Sequence, residues 1–192
     1  MAETLTTGKC SALVIGGSAG SLDVLLEVFP GLSSQINFPI ILVTHRKSGN
    51  DSLLTDLLKS RTRLTVTEAE EKQKLLPGYV YIVPADYHLL FESKNTVSLD
   101  SSEKMNYSRP SIDVTFKSAA EIFGENLIGV LLSGANADGV EGLKYIKKNK
   151  GKVWIQNPET AEVDYMPKQA VGQVDYDLLI EPRDLAELIN QL

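Results

Sequence analysis

Short uninterrupted apolar runs alternate along this chain with segments whose apolar residues recur every three or four positions. The first run is Ser11-Ala-Leu-Val-Ile15. Gly16-Gly-Ser-Ala-Gly20 follows it, and Leu22, Leu25, Leu26 and Phe29 then share one helical face. The pattern predicts strand, tight turn and helix, with Pro30-Gly31 ending the helix. Phe38-Pro-Ile-Ile-Leu-Val43 is apolar throughout, as a parallel strand covered on both faces requires, and completes a βαβ unit. Asn50 or Asp51 can cap a helix carrying Leu53, Leu54, Leu57 and Leu58, and Leu64-Thr-Val66 reads as a third short strand.

From Pro77 to Leu99 the pattern changes to alternation, with Tyr79, Tyr81 and Val83 followed by Leu90, Phe91 and Val97. Pro84 and a Ser93-Lys-Asn95 turn interrupt it, which predicts an antiparallel excursion inserted in the domain. Strands and helices then resume: a helix near Ile112 to Phe123, a strand Leu127 to Leu132, a helix Val140 to Asn149 and a strand Lys152 to Ile155. A short helix around Gln169, a strand Leu178 to Ile180 and a helix opening on Pro182 close the chain. The expected fold class is α/β: one domain over residues 1–192, three-layered and doubly wound, with a mostly parallel sheet, a hairpin insertion and a short extension at 1–10.

Composition narrows the function. Nineteen Lys+Arg against twenty-five Asp+Glu give a formal charge of −6, so no overall positive field draws nucleic acid or an anionic membrane. No apolar run approaches the roughly 20 residues of a membrane span, and the first ten residues lack the form of a secretion signal. The single cysteine, Cys10, allows no internal disulfide, which points to the cytoplasm. Any imidazole chemistry must use His45 or His88. Their spacing is not that of metal ligands, so neither metal nor cofactor is expected.

Gly16-Gly-Ser-Ala-Gly20 satisfies G-x-S-x-G, in which glycines allow a sharp strand-to-helix turn that exposes a serine oxygen, here Ser18. A hydroxyl needs an imidazole to take its proton and a third group to orient that imidazole. His45 follows the strand 38–43 and emerges at the carboxyl edge of a parallel sheet, where the first strand delivers Ser18. Asp138, in the small-residue loop Ser133-Gly-Ala-Asn-Ala-Asp-Gly139, projects at that same edge if strand 127–132 is parallel. The usual plan pairs Ser18 Oγ with Nε2 of His45 and Asp138 with Nδ1, with the backbone amides of Ala19 and Ala135 as oxyanion donors. The plain alternatives are a turn serine capping its helix, a loop histidine, and an aspartate capping the helix at Val140.

With these segments in view, the chain resembles the catalytic domain of the chemotaxis methylesterase CheB family from about Ala12 to its end. The resemblance extends to Leu76-Pro-Gly-Tyr-Val-Tyr-Ile-Val-Pro84, His88, Ser108-Arg-Pro-Ser-Ile-Asp-Val114, Gly129-Val-Leu-Leu-Ser-Gly134, Gln156-Asn157 and Met166-Pro167. It implies hydrolysis of glutamate methyl esters, with deamidation of glutamine by the same chemistry, on chemotaxis receptors or related signalling proteins. By position, the family's serine, histidine and aspartate fall on Ser18, His45 and Asp138. Departures are Ala19-Gly20-Ser21, where the family has threonine and two glycines, Thr44-His45-Arg46 in place of glutamine, histidine and methionine, and Ala135 in place of methionine. Family members carry an N-terminal receiver domain; only a short segment precedes the first strand here, so either a stand-alone esterase or one governed by a separate regulator is expected.

Arg46, Arg109 and Met166 are the expected substrate contacts, the two arginines facing an acidic receptor helix and Met166 either walling the site or packing within the fold. Lys47, Arg61 and Arg63 form a further cationic group that is equally well read as solvated charge, and His88 is read as structural. Two other functions compete. The glycine-rich turn also suits a pyrophosphate, with Arg46 facing a 2′-phosphate as in an NADP(H)-type module, although the spacing is not G-x-G-x-x-G. The altered flanks equally suit a catalytically quiet partner in a signalling array.

Overall fold

The computed structural model describes residues 9–47, 49 and 51–192, and the helix cap expected at Asn50 or the Asp51 side chain falls outside what is described. In chain order the elements begin with β1 (Ala12–Gly17), α1 (Ser21–Val28), β2 (Ile40–Thr44), α2 (Asp51–Lys59), β3 (Thr65–Glu68) and β4 (Tyr79–Ile82). Then come β5 (His88–Ser93), β6 (Thr96–Asp100), α3 (Ile112–Phe123), β7 (Leu127–Leu131) and α4 (Val140–Lys148). The chain closes with β8 (Lys152–Gln156), α5 (Tyr165–Gln173), β9 (Leu178–Ile180) and α6 (Pro182–Asn190).

Seven strands form one sheet in the order β3-β4-β2-β1-β7-β8-β9, every pairing parallel. Successive side chains leave a strand on opposite faces, and here both faces are covered. Ala12 and Val14 of β1 join one core with Ile41 and Val43, α3, α4, α5 and the β5–β6 hairpin. Leu13 and Ile15 join the other, with Ile40 and Leu42, α1, Leu58 of α2, and α6. Each aliphatic side chain so buried contributes about 1.5–3 kcal/mol, which is why β1 and β2 read as apolar at nearly every position.

One element departs from the sequence reading. Tyr79–Ile82 does not belong to the antiparallel excursion; it pairs parallel with β2 and with β3 inside the main sheet. Tyr79 and Tyr81 alternate on one face as in a half-exposed strand, whereas Val80 and Ile82, both fully buried, fill the other. Among the described strands, β5 and β6 alone pair antiparallel. Their hairpin docks on α3: Thr115 Oγ1 donates to the Leu89 carbonyl at 3.1 Å, the Phe91 amide donates to Ser118 Oγ at 2.7 Å, and Phe91 meets Phe123 edge-on at 5.2 Å.

The sheet order reverses around β1, with β2 on one side and β7 on the other. The crevice beyond the carboxyl ends of these strands is where doubly wound folds place their chemistry. Among the described residues, no helix is long and apolar enough to cross a membrane, and no group of three His, Cys, Asp or Glu side chains is disposed to hold a metal ion.

Candidate active site

Three segments meet in that crevice. β1 runs into Ser18, whose amide donates to the Ser133 carbonyl at 2.8 Å. Gly20 takes φ +80°, a left-handed turn that a side chain would strain, and a Cβ there would stand 2.7 Å from Ser133 Oγ. The turn closes with the Ser21 amide (3.0 Å) and hydroxyl (2.6 Å) both donating to the Ser18 carbonyl. His45 extends the β2 ladder, its amide donating to the Gly17 carbonyl at 3.3 Å. The loop after β7 is fixed from below by Gln156 Oε1, which accepts from the Ser133 amide at 3.0 Å.

Ser18 Oγ lies 3.1 Å from Nδ1 of His45, and Asp138 Oδ2 lies 2.7 Å from Nε2. The three groups are together, but the two ring nitrogens have exchanged the places expected for them. The strand order explains it. Ser18 leaves β1, next to the backbone of His45, so it meets the nitrogen nearer the Cβ; Asp138 follows β7, on the far side of β1, and only the distal nitrogen reaches it. A carboxylate accepting from Nε2–H fixes that tautomer and leaves Nδ1 as an acceptor towards the serine hydroxyl.

Asp138 is 1% exposed and accepts five hydrogen bonds. Besides His45, the Ile112 amide donates to Oδ2 at 2.7 Å; the Asp113 amide (3.1 Å), the Ser111 hydroxyl (2.9 Å) and Asn106 Nδ2 (3.1 Å) donate to Oδ1. The carboxylate thus sits on the N-terminus of α3, where unpaired amides and the helix dipole favour negative charge. Burial, the largest effect, pushes its pKa up, but the bonds from His45, Ile112, Asp113 and Asn106 outweigh it and hold the group below the ordinary carboxylate range.

The reading of Asp138 as a cap for the helix at Val140 is therefore corrected. That helix, α4, is capped by Asp113, whose Oδ1 accepts the Gly139 amide at 3.0 Å and the Gly142 amide at 2.6 Å. The capping is crossed: the acid preceding α4 holds the start of α3, and the acid in the first turn of α3 holds the start of α4. Burial foremost, with the Asp138 charge adding to it, raises the pKa of Asp113. Sequence reasoning missed Asp113 and Asn106, because a first-turn acid and a loop asparagine are commonplace. Ser111 also caps α3, its hydroxyl accepting from the Val114 amide at 3.4 Å.

Of the residues named as oxyanion donors, Ala19 follows Ser18 in the chain and Ala135 follows Gly134, which packs against Ser18; the amides of Ser18 and Gly134 are themselves committed to the Ser133 and Val163 carbonyls. Among the described residues, neither Ala19 nor Ala135 donates to a backbone carbonyl. Met166 takes the packing role of its two readings. It is 0% exposed, and a Cβ on Gly134 would lie 2.5 Å from its Cε and 3.1 Å from Ser18 Cβ, so it packs beneath the loop rather than facing a substrate. Arg46 borders the site with its guanidinium bonded to Glu68 (2.6 Å) and the Val83 carbonyl (2.8 Å). Arg109 donates to the carbonyls of Ser101 (2.8 Å) and Ser102 (2.6 Å), tying down the loop ahead of α3. His88 is buried between the Glu103 carbonyl, which takes its Nε2–H at 3.0 Å, and the Ser111 amide, which donates to Nδ1 at 3.0 Å.

Two openings reach His45. A cavity of about 380 Å³ runs from Ser18 along Leu22, Leu25, Leu53, Leu54 and Leu57. A second, of about 460 Å³, is lined by Lys47, Asp86, Lys104, Tyr107 and Arg109. The first has a wall of leucines and the second carries more cations than acids, with Arg46 and Lys47 bordering both, on a chain that is acidic overall.

A parallel sheet with helices on both faces, carrying a serine, an imidazole and a carboxylate in contact at its carboxyl edge, defines a doubly wound α/β domain of the serine-hydrolase class. The chain belongs to the CheB methylesterase family, whose sequence profile matches residues 13–189. A Leptospira interrogans protein named for protein-glutamate methylesterase and protein-glutamine glutaminase activities is 41% identical over 181 residues, covering 94% of each chain. The protein-glutamate methylesterase/protein-glutamine glutaminase of Thermotoga maritima is 38% identical over 184 residues, and the match spans 54% of that longer protein. The crystal structure of the T. maritima CheB methylesterase catalytic domain superposes with a TM-score of 0.88 at 34% identity, covering 96% of this chain and 99% of that one. The competing functions gain no support. A pyrophosphate at the glycine turn would meet Glu162, whose Oε2 stands 3.4 Å from a Cβ placed on Gly20, and Arg46 is bonded to Glu68.

Proposed function

We propose that this chain hydrolyses glutamate methyl esters, and deamidates glutamine by the same route, on chemoreceptors or related signalling proteins in the cytoplasm. The observation that carries the reading is the unbroken contact from Ser18 Oγ to His45 Nδ1 (3.1 Å) and from His45 Nε2 to Asp138 (2.7 Å). Nδ1 takes the serine proton as Oγ attacks the ester carbonyl, and the resulting imidazolium is stabilised by the Asp138 carboxylate. The amides of Ala19 and Ala135 receive the oxyanion. The imidazolium then protonates the departing methoxide, giving methanol, or the amine, giving ammonia from glutamine. Water, deprotonated at the same nitrogen, releases the glutamate carboxylate and restores Ser18.

The two openings suit a helical protein substrate, its apolar side on the leucine wall and its acidic side on Lys47 and Lys104. Arg46 and Arg109 act here by holding the walls of the site, and Met166 by supporting its floor. Release of methanol from methylated receptor tests the reading: Ser18→Ala and His45→Ala proteins should release none above background, and undiminished release by either eliminates the mechanism.

A further inference from the structure

Asn106 stands at the solvent side of two buried carboxylates and touches both. Its Nδ2 lies 2.8 Å from Asp113 Oδ2 and 3.1 Å from Asp138 Oδ1, so the two hydrogens of one amide group serve two acids. For Asp113 this is the single side-chain donor among the described residues, because the Gly139 and Gly142 amides both bond Oδ1. The backbone is built to deliver it. Met105 and Ser108 exchange amide–carbonyl bonds of 3.1 and 2.9 Å around a two-residue turn in which Asn106 (φ 52°) and Tyr107 (φ 62°) are both left-handed. Asparagine is among the few residues that take this conformation readily.

Two acids this close repel, and one of them is ordinarily driven to keep a proton. The groups facing the pair are His45 from the end of β2, Lys117 and Glu121 from α3, Glu141 from α4 and Glu92 from β5, the last four lining a cavity of about 680 Å³ that Asn106 and Asp113 also border. These neighbours do not supply a net positive charge, so relief must come from hydrogen bonds.

We propose that Asn106 is a positioning residue for the esterase reaction: its shared amide keeps Asp113 and Asp138 ionised side by side and holds Asp138 aimed at His45. The proposal rests on the reading of Ser18, His45 and Asp138 as the reacting groups. Burial and the charge of Asp138 push Asp113 up, while the Asn106 bond counts among the influences drawing each acid down. Removing the amide therefore lets one of the two take up a proton at higher pH.

The test compares wild type with Asn106→Gly, which keeps the left-handed backbone and deletes the amide, and Asn106→Asp, which keeps the shape and adds a third acid. For methanol release, kcat of the glycine variant should fall about three- to tenfold near neutral pH, the loss of one hydrogen bond partly replaced by water, with KM little changed. The acidic limb of its kcat/KM profile should move to higher pH, and further in the aspartate variant. Carbon-13 titration of the aspartate carboxyls, which needs no activity, should show the same rise. A glycine variant with wild-type pH profile and unmoved carboxyl titrations overturns the proposal even if Ser18→Ala is dead. An inactive wild type whose carboxyl titrations do move would sink the esterase reading while upholding the bridge.

Discussion

Replacing Asp138 by asparagine alters one atom of its carboxyl group, yet it should abolish nearly all turnover, and the reason can be counted from the bonds it receives. Oδ2 accepts from the Ile112 amide and His45 Nε2; Oδ1 accepts from the Ser111 hydroxyl, the Asp113 amide and Asn106. A carboxamide can turn two ways. With its oxygen at the Oδ2 side, His45 keeps its tautomer, but the NH2 confronts the donors of Asp113 and Asn106. With its oxygen at the Oδ1 side, only the Ile112 amide loses its partner, and the imidazole answers by moving its proton from Nε2 to Nδ1. The second arrangement saves about one buried donor, worth about 1–3 kcal/mol, and so dominates by roughly 5- to 150-fold. It also places N–H, not a lone pair, against Ser18, and removes the charge that steadies the imidazolium. In a triad of this kind the same substitution costs about 10⁴ in rate, so kcat for methanol release should drop by at least about 10³. Urea unfolding should show a loss of about 1–3 kcal/mol from the unpaired Ile112 amide. Nitrogen-15 spectra should show the His45 proton on Nδ1 in the variant. Activity within tenfold of wild type, or a ring still protonated on Nε2, would refute the argument.

Other outcomes follow from single features. Burial pushes the Cys10 thiol up to about 12, against weaker opposing pulls from a backbone hydrogen bond at Ala12 and the charge of Lys152, so a thiol reagent at neutral pH should label the unfolded protein and leave the native one untouched. Leu53, 64% exposed on the apolar wall, should matter only to large substrates: Leu53→Asp is expected to raise KM for receptor about tenfold and leave a small ester unaffected. Tyr107 occupies a left-handed turn position that favours glycine while 98% exposed, so Tyr107→Gly should raise stability by about 1 kcal/mol in urea titrations. The two crossed acids act in opposite senses on stability. Asp138, held low, contributes stability that is complete above the ordinary aspartate value of 3.8 and is lost as pH falls through its lower folded value. Asp113, held high, favours the fold most below 3.8 and loses that contribution as pH rises through its raised value, so the stability deficit of Asp113→Asn should shrink with rising pH. A deficit that grows over that range would contradict the assignment.

Much of this was legible in the chain because parallel strands covered on both faces leave unmistakable apolar runs, as at 38–43 and 127–132. Once those runs were parallel, residues just past their ends had to share an edge, which is why Ser18, His45 and Asp138 could be brought together on paper. β4 was misplaced because aromatic alternation on one face resembles a half-exposed strand, and nothing local reveals that the other face is covered as well. The exchange of ring nitrogens was illegible for another reason: it depends on which side of β1 the third strand lies, a matter of sheet order. Asp113 and Asn106 were invisible because their importance lies in what they touch across 25 to 32 residues of chain.

The crossed arrangement of Asp113 and Asp138 makes assembly of the site inseparable from the docking of two helices. Neither α3 nor α4 can swing outward without surrendering an acid that terminates the other, and the same movement would withdraw the support behind the imidazole. A partly opened molecule that still turns over substrate is therefore not available to this architecture, and loss of activity on gentle destabilisation should report the parting of those two helices.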